Sequence, residues 1–137
     1  MICPIIDISS TRKKVINHLE VLMHLFKLEI CTIEDFPLYK IDEIDFNSIV
    51  SIKHSTEYDE LVRKLLSIIS QLEERDKIII YYRYIKGYTL HQLHTGYNED
   101  NCLISKSYNH HKQAIAALSF MLQDFVEYKG VIQNGIE

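Results

Sequence analysis

The sequence is poor in the residues that interrupt helices, with four glycines and two prolines among 137 residues. Such sparse punctuation favours long helices over many short strands. Tryptophan is absent, and the three cysteines, Cys3, Cys31 and Cys102, are odd in number and widely spaced. Cysteines of this kind argue against a disulfide framework and fit a reducing cytosol.

Long apolar runs are also missing. No run of 18 apolar residues occurs, which predicts that no helix spans a membrane. The N-terminal "MICPIIDISS" lacks the basic flank and the long apolar stretch of a signal peptide. Hydrophobic residues still make up 47% of the chain, so a buried core can form. We therefore expect a folded protein of the cytoplasm, without a membrane partner.

The formal net charge of −4 gives no overall electrostatic attraction to nucleic acid. The charge is unevenly distributed, however. Residues 101–123 carry two lysines, two histidines and no acidic side chain, which makes this region locally positive. Residues 34–45 instead carry five acidic side chains and one lysine, and by charge alone this stretch is a candidate surface for a polymerase or another partner.

Apolar residues recur at helical spacing along most of the chain and predict an all-α protein of about five helices. A first helix covers "STRKKVINHLEVLMHLFKLEI", and a second begins near Ser55 or Thr56, whose hydroxyls can cap it. A third runs from about residue 73 to 86. The stripes expected to face the core in these three helices are Val15, Leu19, Leu22 and Phe26; Tyr58, Leu61, Leu65, Ile68 and Leu72; and Ile78, Ile79, Tyr82 and Ile85.

Two more helices follow a glycine. Gly87 is suited to end the third helix, because glycine tolerates a positive φ without strain, and Thr89 is suited to cap a short fourth helix that reaches about His94. The last helix is expected at about 103–128, and its predicted buried stripe is Ile104, Tyr108, His111, Ile115, Leu118 and Leu122. The acidic stretch 31–54 breaks these periods and predicts an irregular connector, with a short strand possible around 49–52.

The order of these elements is typical of a helix-turn-helix, in which a helix, a glycine and a short capped helix precede a longer helix. "LEERDKIIIYYRYIKGYTLHQL" resembles the region 4 helix-turn-helix of sigma-70-type factors. "SKSYNHHKQAIAAL" and "TRKKVINHLEVLMHL" resemble the recognition helix and the opening helix of phage late-gene regulators of the ArpU and RinA type. The positions that carry the first two resemblances are Leu72, Arg75, Ile79, Arg83, Tyr84, Gly87, Thr89 and Leu93, and Ser105, Ser107, Tyr108, Lys112, Ala114 and Ile115.

The resemblance implies a helical N-terminal part packed on a C-terminal DNA-binding helix-turn-helix. The division expected is an N-terminal helix and acidic connector at 1–54, the helix-turn-helix at 55–130 and a flexible tail at 131–137. The implied function is a phage-encoded, sequence-specific activator of late genes that acts in the bacterial cytoplasm on double-stranded DNA, through contact with RNA polymerase. The link after Leu93 is longer than the usual tight turn of the family.

Helical geometry sorts the candidate DNA contacts. Asparagine and glutamine can pair with adenine, and lysine can donate to guanine, so the face of the last helix opposite its apolar stripe is expected to read bases. Its members are Ser105, Lys106, Asn109, Lys112 and Gln113. Contacts to phosphates, which fix the register of the protein without reading sequence, are expected from Arg12, Lys13, Lys86 and Thr89.

The sequence gives weaker support to other interpretations of the same residues. His91, His94, Cys102, His110 and His111 match no closed metal-binding spacing, and Cys102 has no visible catalytic partners, so we expect no metal, no cofactor and no enzyme activity. The tyrosines between 81 and 88 can stack on a single strand but are more often core. The stripe from Val15 to Phe26 is either a homodimer seam or a surface that packs on residues 58–72.

A second function is compatible with the same pattern. The negative net charge and the lengthened link favour a helical interaction protein, of the inhibitor or anti-repressor type, that keeps the fold without binding DNA.

Overall fold

The computed structural model describes residues 8–122. Helices dominate this part of the chain, which confirms the predicted all-α class, although the helical segments outnumber the five that we expected. The segments are α1 (Ile8–Lys27), β1 (Cys31–Ile33), a 3-10 helix (Leu38–Glu43), α2 (Phe46–Ile49), β2 (Val50–Ile52), α3 (Asp59–Ile69), α4 (Glu74–Ile80), a π-helical segment (Tyr81–Ile85), α5 (Leu90–Thr95) and α6 (Ser107–Met121).

Helix α1 buries the stripe that its spacing predicts. Val15, Leu19 and Leu22 are fully buried and Phe26 is half-buried, while Glu20 on the other side is exposed. The helix packs against α6, the π-helical segment and α3. The stripe that could have formed a dimer seam is therefore covered by helices of the same chain.

The acidic connector has more regular structure than we expected. β1 and β2 form a two-stranded antiparallel sheet in which Cys31 pairs with Ile52 and Ile33 with Val50, so the strand predicted near 49–52 is confirmed. Between the strands lie the 3-10 helix, which Pro37 precedes, and the short helix α2, which Asp45 caps by accepting a hydrogen bond from the amide of Asn47 at 3.0 Å.

Helix α3 is present, but it begins and faces differently from the prediction. Its first helical residue is Asp59, and Tyr58 rather than Ser55 or Thr56 occupies the N-cap position. The buried side chains are Val62, Leu65, Leu66, Ile69 and, just beyond the helix, Leu72, whereas Tyr58 is exposed and Leu61 and Ile68 are only half-buried. The predicted stripe was thus rotated by about one residue from the true one.

The third predicted helix is interrupted by a π-helical segment. The amide of Lys86 donates to the carbonyl of Tyr81 at 2.9 Å, five residues earlier, so the last turn is wider than an α-helical turn. Ile80, Tyr81 and Tyr84 are buried in addition to the predicted Ile79, Tyr82 and Ile85. The tyrosines that could have stacked on nucleic acid are accordingly core residues, except Tyr88, which is half-buried.

Helix α6 begins later than predicted, at Ser107 instead of about 103, and the end predicted near 128 lies outside the described residues. Ile115, Leu118 and Leu122 are buried, as expected, and His111 is half-buried. Tyr108 was placed on the buried stripe wrongly, because 55% of its surface is exposed. Ser107 and Ala114 take the core positions instead.

The buried side chains of residues 15–122 belong to one hydrophobic core, to which α1 and the connector contribute together with α3, α4 and α6. The division at residue 54 stays a prediction, as does the flexible tail at 131–137, which lies outside the described residues. Among residues 8–122 no helix is both long enough and apolar enough to cross a lipid bilayer.

Candidate nucleic-acid interface

The turn between the π-helical segment and α5 is built around Gly87, which has a φ of +83°. A left-handed residue here ends the long helix and redirects the chain, as the sequence predicts. Two residues later Thr89 caps α5. Its hydroxyl accepts from the amide of Gln92 at 3.1 Å, and the Gln92 side chain accepts from the amide of Thr89 at 2.8 Å. This reciprocal capping box fixes where α5 begins.

The link from α5 to α6 is long but internally bonded. Asn98 lies at its centre, where its side chain accepts from the amide of Cys102 at 2.9 Å and donates to the carbonyls of Cys102 and Gln92 at 2.8 and 3.1 Å. The amide of Ile104 then donates to the carbonyl of Leu93 at 2.8 Å. These bonds hold the approach to α6 against the end of α5.

Ser107 fixes the start of α6. Its buried hydroxyl donates to the carbonyl of Leu90 at 2.8 Å, and its small side chain lets the first turn of α6 lie close to α5. Lys106, which precedes it, has a φ of +55° and occupies the N-cap position without a side-chain capping bond. Helix α6 also packs along α4 and α1, so its inner side is held by several helices.

The side of α6 that faces away from these helices is open to solvent. Successive helical residues differ by about 100° in direction, so the face opposite Ser107, Ala114 and Leu118 is centred near Asn109. The five side chains predicted to read bases are all exposed: Ser105, Lys106, Asn109, Lys112 and Gln113. No acidic residue lies in the first turn of α6. Ser105 and Lys106 precede the helix, while the other three are on it.

The flanks of this face hold residues that sequence reasoning missed. Tyr108 stands on the side of α5, where its ring centroid is 6.3 Å from that of His94. On the side of α4, His110 lies near the carboxyl of Asp76. Asp76 is buried, and its Oδ1 has no hydrogen-bond partner among the described residues but lies 4.0 Å from Nε of Arg75. Burial raises the pKa of its carboxyl. Helical periodicity could have placed Tyr108 on this flank only if the helix had been known to begin at Ser107.

The residues predicted to contact phosphate differ in their exposure and in the bonds that they make. Lys13 and Thr89 are exposed, and Thr89 uses its hydroxyl as the cap of α5. Lys86 is exposed, and its amino group lies 3.5 Å from the carboxylate of Asp100. Arg12 is half-buried, and its Nε is buried without a hydrogen-bond partner among the described residues. Lys13 is therefore the most accessible cation of this group.

The buried Tyr84 and the half-buried His111 connect α6 to the π-helical segment. The hydroxyl of Tyr84 and Nε2 of His111 are 2.6 Å apart. Burial, with a smaller contribution from the nearby Arg83 guanidinium, lowers the pKa of His111 to about 4. The ring is thus neutral near pH 7 and joins α6 to the π-helical segment by a neutral hydrogen bond.

The candidate metal ligands and thiols are dispersed in the described part of the chain. His91, His94, Cys102, His110 and His111 do not come together, and no group of three metal-ligating side chains occurs within residues 8–122. Burial raises the pKa of the Cys31 and Cys102 thiols, which disfavours the reactive thiolate.

Comparison with models of known protein families, with curated proteins and with solved structures finds no match for this chain.

Proposed function

We propose that the protein is a sequence-specific DNA-binding regulator of transcription, which inserts the N-terminal half of α6 into the major groove of double-stranded DNA. The observation that carries the proposal is the open face of α6, where Asn109, Lys112 and Gln113 are exposed together, with Lys106 exposed just before the helix. A hydrogen bond from Ser107 to Leu90 holds the other side of the helix. Side chains of these types can bond to the edges of bases that the major groove presents. No metal or cofactor is needed for this role.

The arrangement around α6 supports the same function. A major groove admits one helix, provided that the helix projects from the body of the protein. Helices α4 and α5 both pack on the inner side of α6, and the capped turn at Gly87 sets the direction of α5. This is the order that a helix-turn-helix requires, and it favours a regulator of the phage late-gene type that contacts RNA polymerase elsewhere on its surface.

Local charge is compatible with binding despite the acidic total. Phosphate contacts supply much of the affinity of DNA-binding proteins, and each one adds to the dependence on salt. Lys106 and Lys112 on α6 and Lys13 on α1 are exposed, and no acidic residue interrupts positions 101–122. With few cations available, we expect a modest affinity and a shallow dependence on salt concentration, which favours a bound partner that adds further contacts.

The test is a selection from random duplexes with three proteins: the wild type, a Lys106→Ala and Asn109→Ala variant, and a control with Lys64→Ala and Asn17→Ala. The control removes the same charge and the same amide at exposed positions on α3 and α1. We expect the wild type and the control to enrich one motif and the α6 variant to enrich none. Binding of the selected duplex should weaken as salt increases.

A second function, a helical interaction module of the inhibitor or anti-repressor type, is favoured by a different observation. A groove of about 380 Å³ lies between the start of α4 and the approach to α6, and Ile78, Leu103 and Ile104 line it. Leu103 is 64% exposed. Two results together would favour this function over DNA binding. The wild type would enrich no motif from the random duplexes, and Leu103→Asp would abolish binding of a protein partner.

A further inference from the structure

The 3-10 helix carries a second exposed surface, which has no part in the proposed DNA contact. Tyr39 is 82% exposed at its tip and Leu38 beside it is 37% exposed. Five exposed acidic residues flank these two residues in the sequence: Glu34, Asp35, Asp42, Glu43 and Asp45. We refer to residues 34–45 as the acidic tip. It combines an aromatic side chain open to solvent with a strongly negative rim.

The acidic tip is held rigidly from inside. Ile41 is fully buried, and the amino group of Lys77 on α4 donates to the carbonyls of Ile41 and Asp42 at 3.0 and 3.1 Å. Lys77 is itself only 2% exposed, so these bonds are shielded from water. At the start of the tip, the Phe36 ring packs on that of Tyr81 with 5.1 Å between centroids.

Rigid presentation of an exposed tyrosine is what a protein-binding surface requires. A partner that covers Tyr39 gains a large contact area, and little freedom of the backbone is lost because the tip is already anchored. A tyrosine inserted in a recess is a common centre of binding energy, whereas charges at the rim steer the encounter and select the partner. Within the protein itself, the amino group of the neighbouring Lys40 lies 5.9 Å from the centroid of the Tyr39 ring.

We propose that the acidic tip docks a partner protein whose surface has an apolar recess for Tyr39 and a rim of lysine or arginine side chains. Charge complementarity selects this occupant. The five carboxylates repel nucleic acid, and a second copy of a chain with a net charge of −4 offers no matching basic surface at the same tip.

The acidic tip and the open face of α6 can be occupied together. Helix α4 packs on both the 3-10 helix and α6. Two adjacent residues of α4 contact the two surfaces separately. Lys77 donates a hydrogen bond to the acidic tip, and Asp76 lies near His110 of α6. The proposal therefore holds whether or not α6 binds DNA.

The test replaces Tyr39 with the photo-cross-linking residue p-benzoylphenylalanine and irradiates cells of the native host. The same replacement at Tyr97, which is 88% exposed in the link between α5 and α6, is the matched control. The protein captured at position 39 is then purified, and its affinity is measured for the wild type, Tyr39→Ala and Asp42→Lys with Glu43→Lys. Glu57→Lys, just before α3, with Glu60→Lys on α3 is the control for charge reversal, since both residues are exposed.

We expect position 39, and not position 97, to capture a protein that binds the wild type more weakly as salt increases. Tyr39→Ala and the charge reversal at 42 and 43 should each weaken that binding at least tenfold. The charge reversal at 57 and 60 should leave the affinity for the captured protein unchanged, and none of these variants should change the affinity for DNA. Capture of nucleic acid or of a second copy, no capture beyond that at position 97, or an affinity unaffected by Tyr39→Ala would overturn the proposal. Failure of the duplex selection with capture intact would remove only the proposed DNA contact.

Discussion

The hydroxyl of Ser107 donates to the carbonyl of Leu90 at 2.8 Å, which ties the first turn of α6 to the first turn of α5. The bond is buried, and it sets the start and the rotation of the helix whose outer face we propose to read DNA. Four predictions follow from contacts of this kind.

Replacing Ser107 with alanine should lower the free energy of unfolding by about 1–2 kcal/mol, because the Leu90 carbonyl loses its side-chain donor in a buried place. Urea denaturation measures the change. Ser105→Ala, two residues earlier and exposed, is the control and should leave stability within about 0.5 kcal/mol of the wild type. Equal effects of the two substitutions would mean that the buried bond does not fix α6.

Two glycines have a positive φ among residues 8–122, and they should respond differently to alanine. At Gly87 an added Cβ meets no atom within 4 Å, so the cost is that of the left-handed backbone alone, about 1–2 kcal/mol. At Gly96 the Cβ would also lie 3.2 Å from Cδ1 of Leu103, so Gly96→Ala should cost more. Thermal unfolding of both variants gives the order, and Gly96→Ala combined with Leu103→Ala should recover part of the difference. The opposite order would contradict the prediction.

Lys77→Met should destabilise the fold by about 1–3 kcal/mol, because the carbonyls of Ile41 and Asp42 lose a shared donor, and the bond to Ile41 is buried. Methionine keeps the length of the apolar stem, so the loss of hydrogen bonds is isolated from a loss of volume. Lys64→Met on α3, where the lysine is exposed, serves as the control. Increased hydrogen exchange of amides 38–44 in Lys77→Met would locate the effect, and unchanged exchange there would argue against the anchoring role.

Stability should fall as the pH decreases from about 6.5 to about 4, in part because of His111. The unfolded chain binds the histidine proton near pH 6.5, whereas in the folded protein burial and Arg83 lower the pKa of His111 to about 4. Protons therefore bind the unfolded state preferentially in this window, and above pH 6.5 the contribution is complete. The loss at pH 5 should be about 1–2 kcal/mol, allowing for the partial solvent contact of the ring.

The matched variant for this prediction is His111→Gln, whose side chain can still accept a bond from Tyr84. The fall in stability between pH 7 and pH 5, measured with urea, should be smaller in the variant than in the wild type. Asp76 acts in the opposite direction at the acid end, since burial raises the pKa of its carboxyl, but it is common to both proteins. Equal falls in the two proteins would exclude His111 as the source.

Local signals in the sequence were sufficient where one residue type decides the structure. Gly87 and Thr89 mark the turn and the start of α5, because a left-handed φ favours glycine and a free helix amide favours a hydroxyl acceptor. The stripe from Val15 to Leu22 was likewise placed correctly, since α1 is long and uninterrupted. Asn109, Lys112 and Gln113 of α6 are exposed as predicted, as are Ser105 and Lys106 before the helix, while their role in reading bases stays a prediction.

Periodicity failed where the helix itself departs from 3.6 residues per turn or begins at an uncertain point. In the π-helical segment the turn is wider, and Tyr81 and Tyr84 are buried although the predicted α-helical stripe excludes them. A shift of one residue rotates a helix by about 100°, which is enough to turn Tyr58 and Tyr108 from the core to the surface. Arg12 shows a related limit, because a charged residue near a helix start reads as a surface contact while its Nε is buried.

The amino-acid sequence by itself determined the helical class, the turn at Gly87 and the residues on the open side of α6, because local conformation and apolar spacing act within a few residues. Only the tertiary structure decided that Lys77 reaches the carbonyls of a segment 35 residues away, which converts an acidic connector into an anchored surface. It also decided that Ser107, and not Tyr108, takes the buried position at the start of α6. Pairings between distant residues depend on how helices pack, and no local pattern of the chain encodes that packing.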